Sequence, residues 1–167
     1  MADITAAQGR LIVLEAMSWA DTPYSLVGNG SIKGQGGDCS GSTWRIYTAA
    51  GFAYDYRSTG AFASYAATSG LFRKLRDNEA RQDGDILLWS EHMAIFSTFT
   101  SPLEAPLRTT PRVNRNHRPW TQVNDMWTAH YTGGPAYGTG ASQYFSATET
   151  PDVYRWTGPT PAAAPAR

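Results

Sequence analysis

Apolar residues recur at Ile4, Ala7, Leu11 and Leu14, with Ile12, Ala16 and Trp19 widening the stripe, and this spacing predicts a helix over residues 4–20. Asp3 or Thr5 is placed to cap its start. Asp21-Thr22-Pro23 ends it, because proline lacks the amide proton and drives its predecessor out of the helical region. Residues 28–37 hold five glycines and read as a loop that delivers the chain to Asp38-Cys39. Beyond Cys39, Trp44, Ile46, Tyr47 and Ala50 suit a second helix that stops at Gly51, with Cys39 at its N-terminus. A more polar third helix is predicted from Thr59 to Ser69, stopped by Gly70. The charged run Arg73 to Asp83 reads as a solvated connection.

Strand character follows. Ile86-Leu87-Leu88-Trp89 is a buried run introduced by Gly84-Asp85, and His92 to Phe99 is a second apolar strand. Ser90-Glu91 makes the tight turn between them. Residues 100–120 carry prolines and Arg108, Arg112, Arg115 and Arg118, and read as a long exposed loop. Asp125 to Tyr131 reads as a third strand on which Met126, Thr128 and His130 share a face. Gly133 to Gly140 is a turn region and Asp152 to Thr157 a final strand. Together these elements predict one α+β domain over residues 1–158, followed by a proline and alanine tail over 159–167.

Composition narrows the functional classes. Fourteen basic residues balance fourteen acidic ones, so no summed field attracts nucleic acid or an anionic membrane. No stretch approaches the roughly 20 apolar residues of a membrane helix, and no secretory leader pattern opens the sequence. One cysteine excludes an internal disulfide and any zinc site with two thiolates. Cys39 is therefore either an inert filler or a reactive group.

A thiol attacks a carbonyl as thiolate, a form favoured at a helix N-terminus and beside an imidazole. Three histidines can supply that imidazole. His92 heads a strand and is fixed by it, whereas His117 stands in the proline-bearing loop. A third polar group normally orients the base, and His130 on the next strand is the best-placed candidate, with Thr128 on the same side as the fallback. Taken singly, each residue has a plainer reading: a lone cysteine is commonly a small buried hydrophobe, and a histidine at a strand start commonly a hydrogen bonder. No histidine pair stands at short ligand spacing, and neither a metal nor an organic cofactor is expected.

The ordered set adds what no single residue does. Thr22-Pro23-Tyr24 precedes the glycine loop of Gly28 to Gly37. Asp38-Cys39-Ser40-Gly41 opens a helix, Gly84-Asp85 leads an apolar strand, and His92-Met93-Ala94-Ile95 follows. In this order, over about residues 5–99, the sequence resembles the NlpC-type cell-wall peptidases, a papain-like group. The resemblance implies a papain-like fold in which the helix headed by Cys39 packs on an antiparallel sheet carrying His92 and His130. It implies Cys39 as nucleophile, His92 as base, and Tyr24 with the Cys39 amide stabilising the oxyanion. Asp38 and Ser40 would line the subsite for the amino end of a peptidoglycan stem peptide. The family's third polar residue precedes a small one, which would instead align Thr128 with that position.

The implied activity is hydrolysis between D-glutamate and the diamino acid through a thioester, by a monomer. An N-acetylmuramoyl-L-alanine amidase is the near alternative. A non-catalytic cell-wall binding module, or an acyltransferase on the same scaffold, is an alternative of another kind. Export without a classical signal suggests a type VI secretion effector with a cognate immunity protein, or else a phage lysis enzyme. The loop over 100–120, which the family lacks, would be a substrate wall, a partner surface or a solvated connection.

Overall fold

A computed structural model of the chain describes residues 2–19, 22, 25–98, 130–131, 134–135 and 150–161. It is an α+β structure. Three helices, α1 (Ala6–Met17), α2 (Cys39–Ala49) and α3 (Thr59–Ser69), accompany β1 (Phe72–Lys74), β2 (Ile86–Leu88) and β3 (Met93–Ile95). Two short strands, β4 (His130–Tyr131) and β5 (Gly134–Pro135), pair with each other, and β6 (Asp152–Trp156) completes the described elements. The main sheet runs β1-β6-β2-β3, antiparallel throughout, with Phe72 opposite Trp156 and Ile86 opposite both Tyr154 and Ile95. No described helix is long and apolar enough to cross a membrane.

The first helix keeps its predicted place but turns a different face inward. Thr5 is the cap, in a box with Gln8: the Gln8 amide donates to Thr5 Oγ1 at 3.1 Å and the Thr5 amide to Gln8 Oε1 at 2.8 Å. Asp3 instead accepts from Arg73 at 2.8 Å. The buried residues are Gly9, Ile12, Val13 and Ala16, while Ala7, Leu11 and Leu14 are exposed, which corrects the stripe read from the sequence. Gly9 gives the physical reason. Its backbone lies so close to the 83–84 turn that a Cβ there would fall 1.8 Å from the Asp83 carbonyl oxygen. Residues three, four and seven positions later must then share that inward face.

Both glycine stops are observed: Gly51 has φ +100° after α2, and Gly70 caps α3 in the left-handed region at φ +74°. The charged run Arg73 to Asp83 is corrected at its two ends. It begins inside strand β1, between buried Phe72 and Leu75, and ends at buried Asp83, while Lys74, Arg76, Asp77 and Asn78 between them are exposed. Arg73 binds Asp3 and Glu79, while buried Asp83 accepts from Arg10 at 3.1 Å and from the Thr98 amide at 2.7 Å. Its polar composition hid an edge strand whose charges are tied to other elements.

Between helices and sheet, Tyr47, Phe52, Tyr54, Phe62, Phe72, Tyr154 and Trp156 form one aromatic core. Its rings meet mostly edge to face with centroids 5.0–6.5 Å apart, the arrangement their quadrupoles favour. Leu87, Trp89, Ala94 and Phe96 form a smaller cluster, as side-chain alternation along β2 and β3 requires. Gly84-Asp85 ties the start of β2 to α2 and to β6. The Gly84 carbonyl accepts the Tyr47 hydroxyl, and the Asp85 carboxylate takes Arg155 in a two-pronged pair at 3.0 and 2.8 Å. Burial pushes the Asp85 carboxyl above the ordinary aspartate range, against the opposing pull of Arg155 and the Gln82 amide.

Candidate active site

Cys39 is the first residue of α2, and Asp38 is its cap. The cap does two jobs. Asp38 Oδ1 accepts the Gly41 amide at 2.8 Å, satisfying one of the helix's opening donors, while Oδ2 accepts the Gly28 amide at 2.6 Å from across the glycine loop. Ser31 reinforces the junction, donating to the Gly28 carbonyl at 2.7 Å and accepting the Asp38 amide at 3.3 Å. Gly41 is required there, since a Cβ would lie 2.0 Å from the Gly28 carbonyl oxygen. The Asp-Cys-Ser-Gly sequence thus builds a rigid seat in which the helix start and the preceding loop share one carboxylate.

Cys39 is 7% exposed and His92 2% exposed. Positive helix-dipole charge at the start of α2 favours a negative sulfur. Cys39 Sγ stands 3.4 Å from Thr59 Oγ1, the hydroxyl of the first residue of α3. His92 ends the tight turn predicted over Ser90-Glu91: its carbonyl accepts the Trp89 amide at 2.8 Å, and Leu88 pairs with Met93 just inside. The Trp89 and His92 rings lie 5.6 Å apart at 34°. Strand β3, which His92 precedes, packs against α2, and Met93 belongs to the same buried cluster as Cys39.

A cleft of about 330 Å³ opens between the first turns of α3 and the β2–β3 hairpin. It is lined by Thr59, Gly60 and Ala63 from α3, by Leu88, Trp89 and Ser90 from the hairpin, and by Thr150 and Asp152. The neighbour of the sulfur and the neighbour of the imidazole therefore face one cleft.

The remaining candidates divide. Ser40 is buried, within 3.4 Å of Asp38 Oδ1 and 3.3 Å of the Tyr56 hydroxyl, so Ser40 and Asp38 have internal partners. Tyr24, His117 and Thr128 lie outside the described residues. The backbone of His130 is in β4, and its side chain lies outside the description. Among the described residues β4 pairs with β5 in a ladder of its own, whereas the expectation put His130 in the sheet that carries His92. Thr59, Trp89 and Tyr56 are the residues that sequence reasoning missed as site neighbours. A weak signal existed for Thr59: it opens a helix directly after Ser58, as Cys39 does after Asp38.

No family model matches this chain, and neither a curated protein nor a solved structure is significantly similar to it.

Proposed function

We propose that the chain is a papain-like cysteine peptidase of the NlpC type, hydrolysing peptidoglycan stem peptides between D-glutamate and the diamino acid. One observation carries this reading: Thr59, in contact with Cys39, and Trp89, beside the His92 ring, line a single cleft. The ordered sequence elements quoted above supply the substrate class.

In the proposed reaction the His92 imidazole takes the thiol proton and Cys39 sulfur attacks the amide carbonyl. The oxyanion that develops is stabilised by the Cys39 amide at the start of α2 and by Tyr24, each donor being worth roughly 3 to 4 kcal/mol of barrier. Collapse breaks the C–N bond, and the imidazolium gives its proton to the leaving amine. Water, deprotonated by the same imidazole, then hydrolyses the thioester and frees the thiol. His130 or Thr128 would orient His92. A protein of this activity used against competing bacteria would need a cognate immunity protein to protect its producer.

The test is digestion of purified peptidoglycan, with fragments identified by mass spectrometry and Cys39→Ala as control. Fragments ending in D-glutamate that vanish with Cys39→Ala support the proposal. Cleavage between muramic acid and L-alanine would make the enzyme an amidase. Wall material left whole but binding the protein would replace catalysis with a binding module.

A further inference from the structure

The Thr59 hydroxyl is joined to the sulfur from a separate element. Cys39 and Thr59 are the first residues of two different eleven-residue helices, and their side chains meet at 3.4 Å where the two helix starts converge. Thr59 is half-buried and lines the cleft, so one residue both touches the sulfur and borders the cavity. A hydroxyl within reach of sulfur can donate to a thiolate or accept from a thiol, and donation to the charged form favours that form. The contact also limits the rotations open to the Cys39 side chain, and a nucleophile held in one orientation loses less freedom on the way to attack.

From this geometry we infer that Thr59 is a positioning residue for Cys39: its hydroxyl stabilises the thiolate and holds the sulfur in one orientation beside the cleft wall. The functional consequence rests on the peptidase reading, but the physical claim can be tested without substrate. The rate of Cys39 alkylation by iodoacetamide, followed against pH, reports the thiolate fraction of the only thiol in the chain.

Thr59→Val keeps the shape and removes the hydroxyl, while Thr59→Ser keeps the hydroxyl. The alkylation midpoint should move up by about one pH unit in Thr59→Val, tenfold in thiolate at a fixed lower pH, and stay near the parent value in Thr59→Ser. Thr59→Ala, measured in the same way, gives the upward shift by a second route should valine disturb the helix start. Equal midpoints for parent, Val and Ala proteins would overturn the inference, as would a Ser variant shifted as far as Val. If the midpoints shift while peptidoglycan stays uncut, the peptidase reading fails alone. If Cys39-dependent cutting occurs with unshifted midpoints, the positioning role fails alone.

Discussion

The Asp38 carboxylate takes the Gly28 amide at 2.6 Å, and through that bond the glycine loop is fixed to the end of α2 that carries Cys39. Because the other oxygen caps the helix, Asp38→Ala removes both attachments together. We expect a loss of about 2 kcal/mol in urea unfolding, with roughly half of it restored in Asp38→Asn, which keeps one good acceptor. An alanine variant as stable as the parent would show that the seat of Cys39 is held by other contacts.

Gly9 and Gly60 should respond oppositely to the same methyl group. Gly9→Ala forces a Cβ into the Asp83 carbonyl and requires α1 to lift from the 83–84 turn, a loss of about 3 kcal/mol. Gly60 lies in the first turn of α3 with nothing within 4 Å of a built Cβ, so Gly60→Ala should gain roughly 0.5 to 1 kcal/mol. The Gly60 methyl stands in the cleft, and under the proposed function that variant digests peptidoglycan more slowly while melting higher. Thermal unfolding of the two variants with the same sign of shift would contradict this packing.

Arg73 gives stability a defined acid limb. Its hydrogen bonds hold the Glu79 carboxyl down at about 2 and the Asp3 carboxyl below the ordinary aspartate range. Both groups are more acidic folded than unfolded, so their stabilisation is present above the ordinary glutamate value of 4.5 and fades as pH falls toward 2. Melting temperatures of parent and Arg73→Met should therefore differ above pH 4.5 and converge below it, with the gap narrowing in high salt. A constant offset at every pH would assign the effect of Arg73 to packing instead.

His92→Ala tests the base apart from the fold. Under the proposed function, digestion falls by roughly 10³-fold or more and the midpoint of Cys39 alkylation rises, because in that reading the thiolate loses the imidazolium it pairs with. An unchanged alkylation profile would mean that no proton passes between these two side chains, and His92 would lose its assigned role.

Much of the site's frame was legible because it is local. A glycine loop, a helix-compatible run and a glycine stop placed Cys39 at the start of α2, and two apolar runs around Ser90-Glu91 placed His92 at the mouth of a hairpin. What escaped depends on partners distant in sequence. The inward face of α1 is set by contact between Gly9 and a turn more than seventy residues away. Strand β1 exists only through its pairing with β6, and Arg73 within it is held by Asp3 from the start of the chain. Thr59 carries no recognisable spacing relative to Cys39, since only the packing of α3 brings it to the sulfur.

Strand β6 lies between β1 and β2, although it follows both by many residues in the chain. A chain emerging from the ribosome can close the β2–β3 hairpin early, but its two halves of the sheet stay unjoined until residues 152–156 appear. Joining of the β2–β3 hairpin that bears Trp89 to β1, the strand on which α3 packs, therefore waits for residues 152–156. A chain made only as far as β3 would carry Cys39 without the strand that joins the two parts of the sheet.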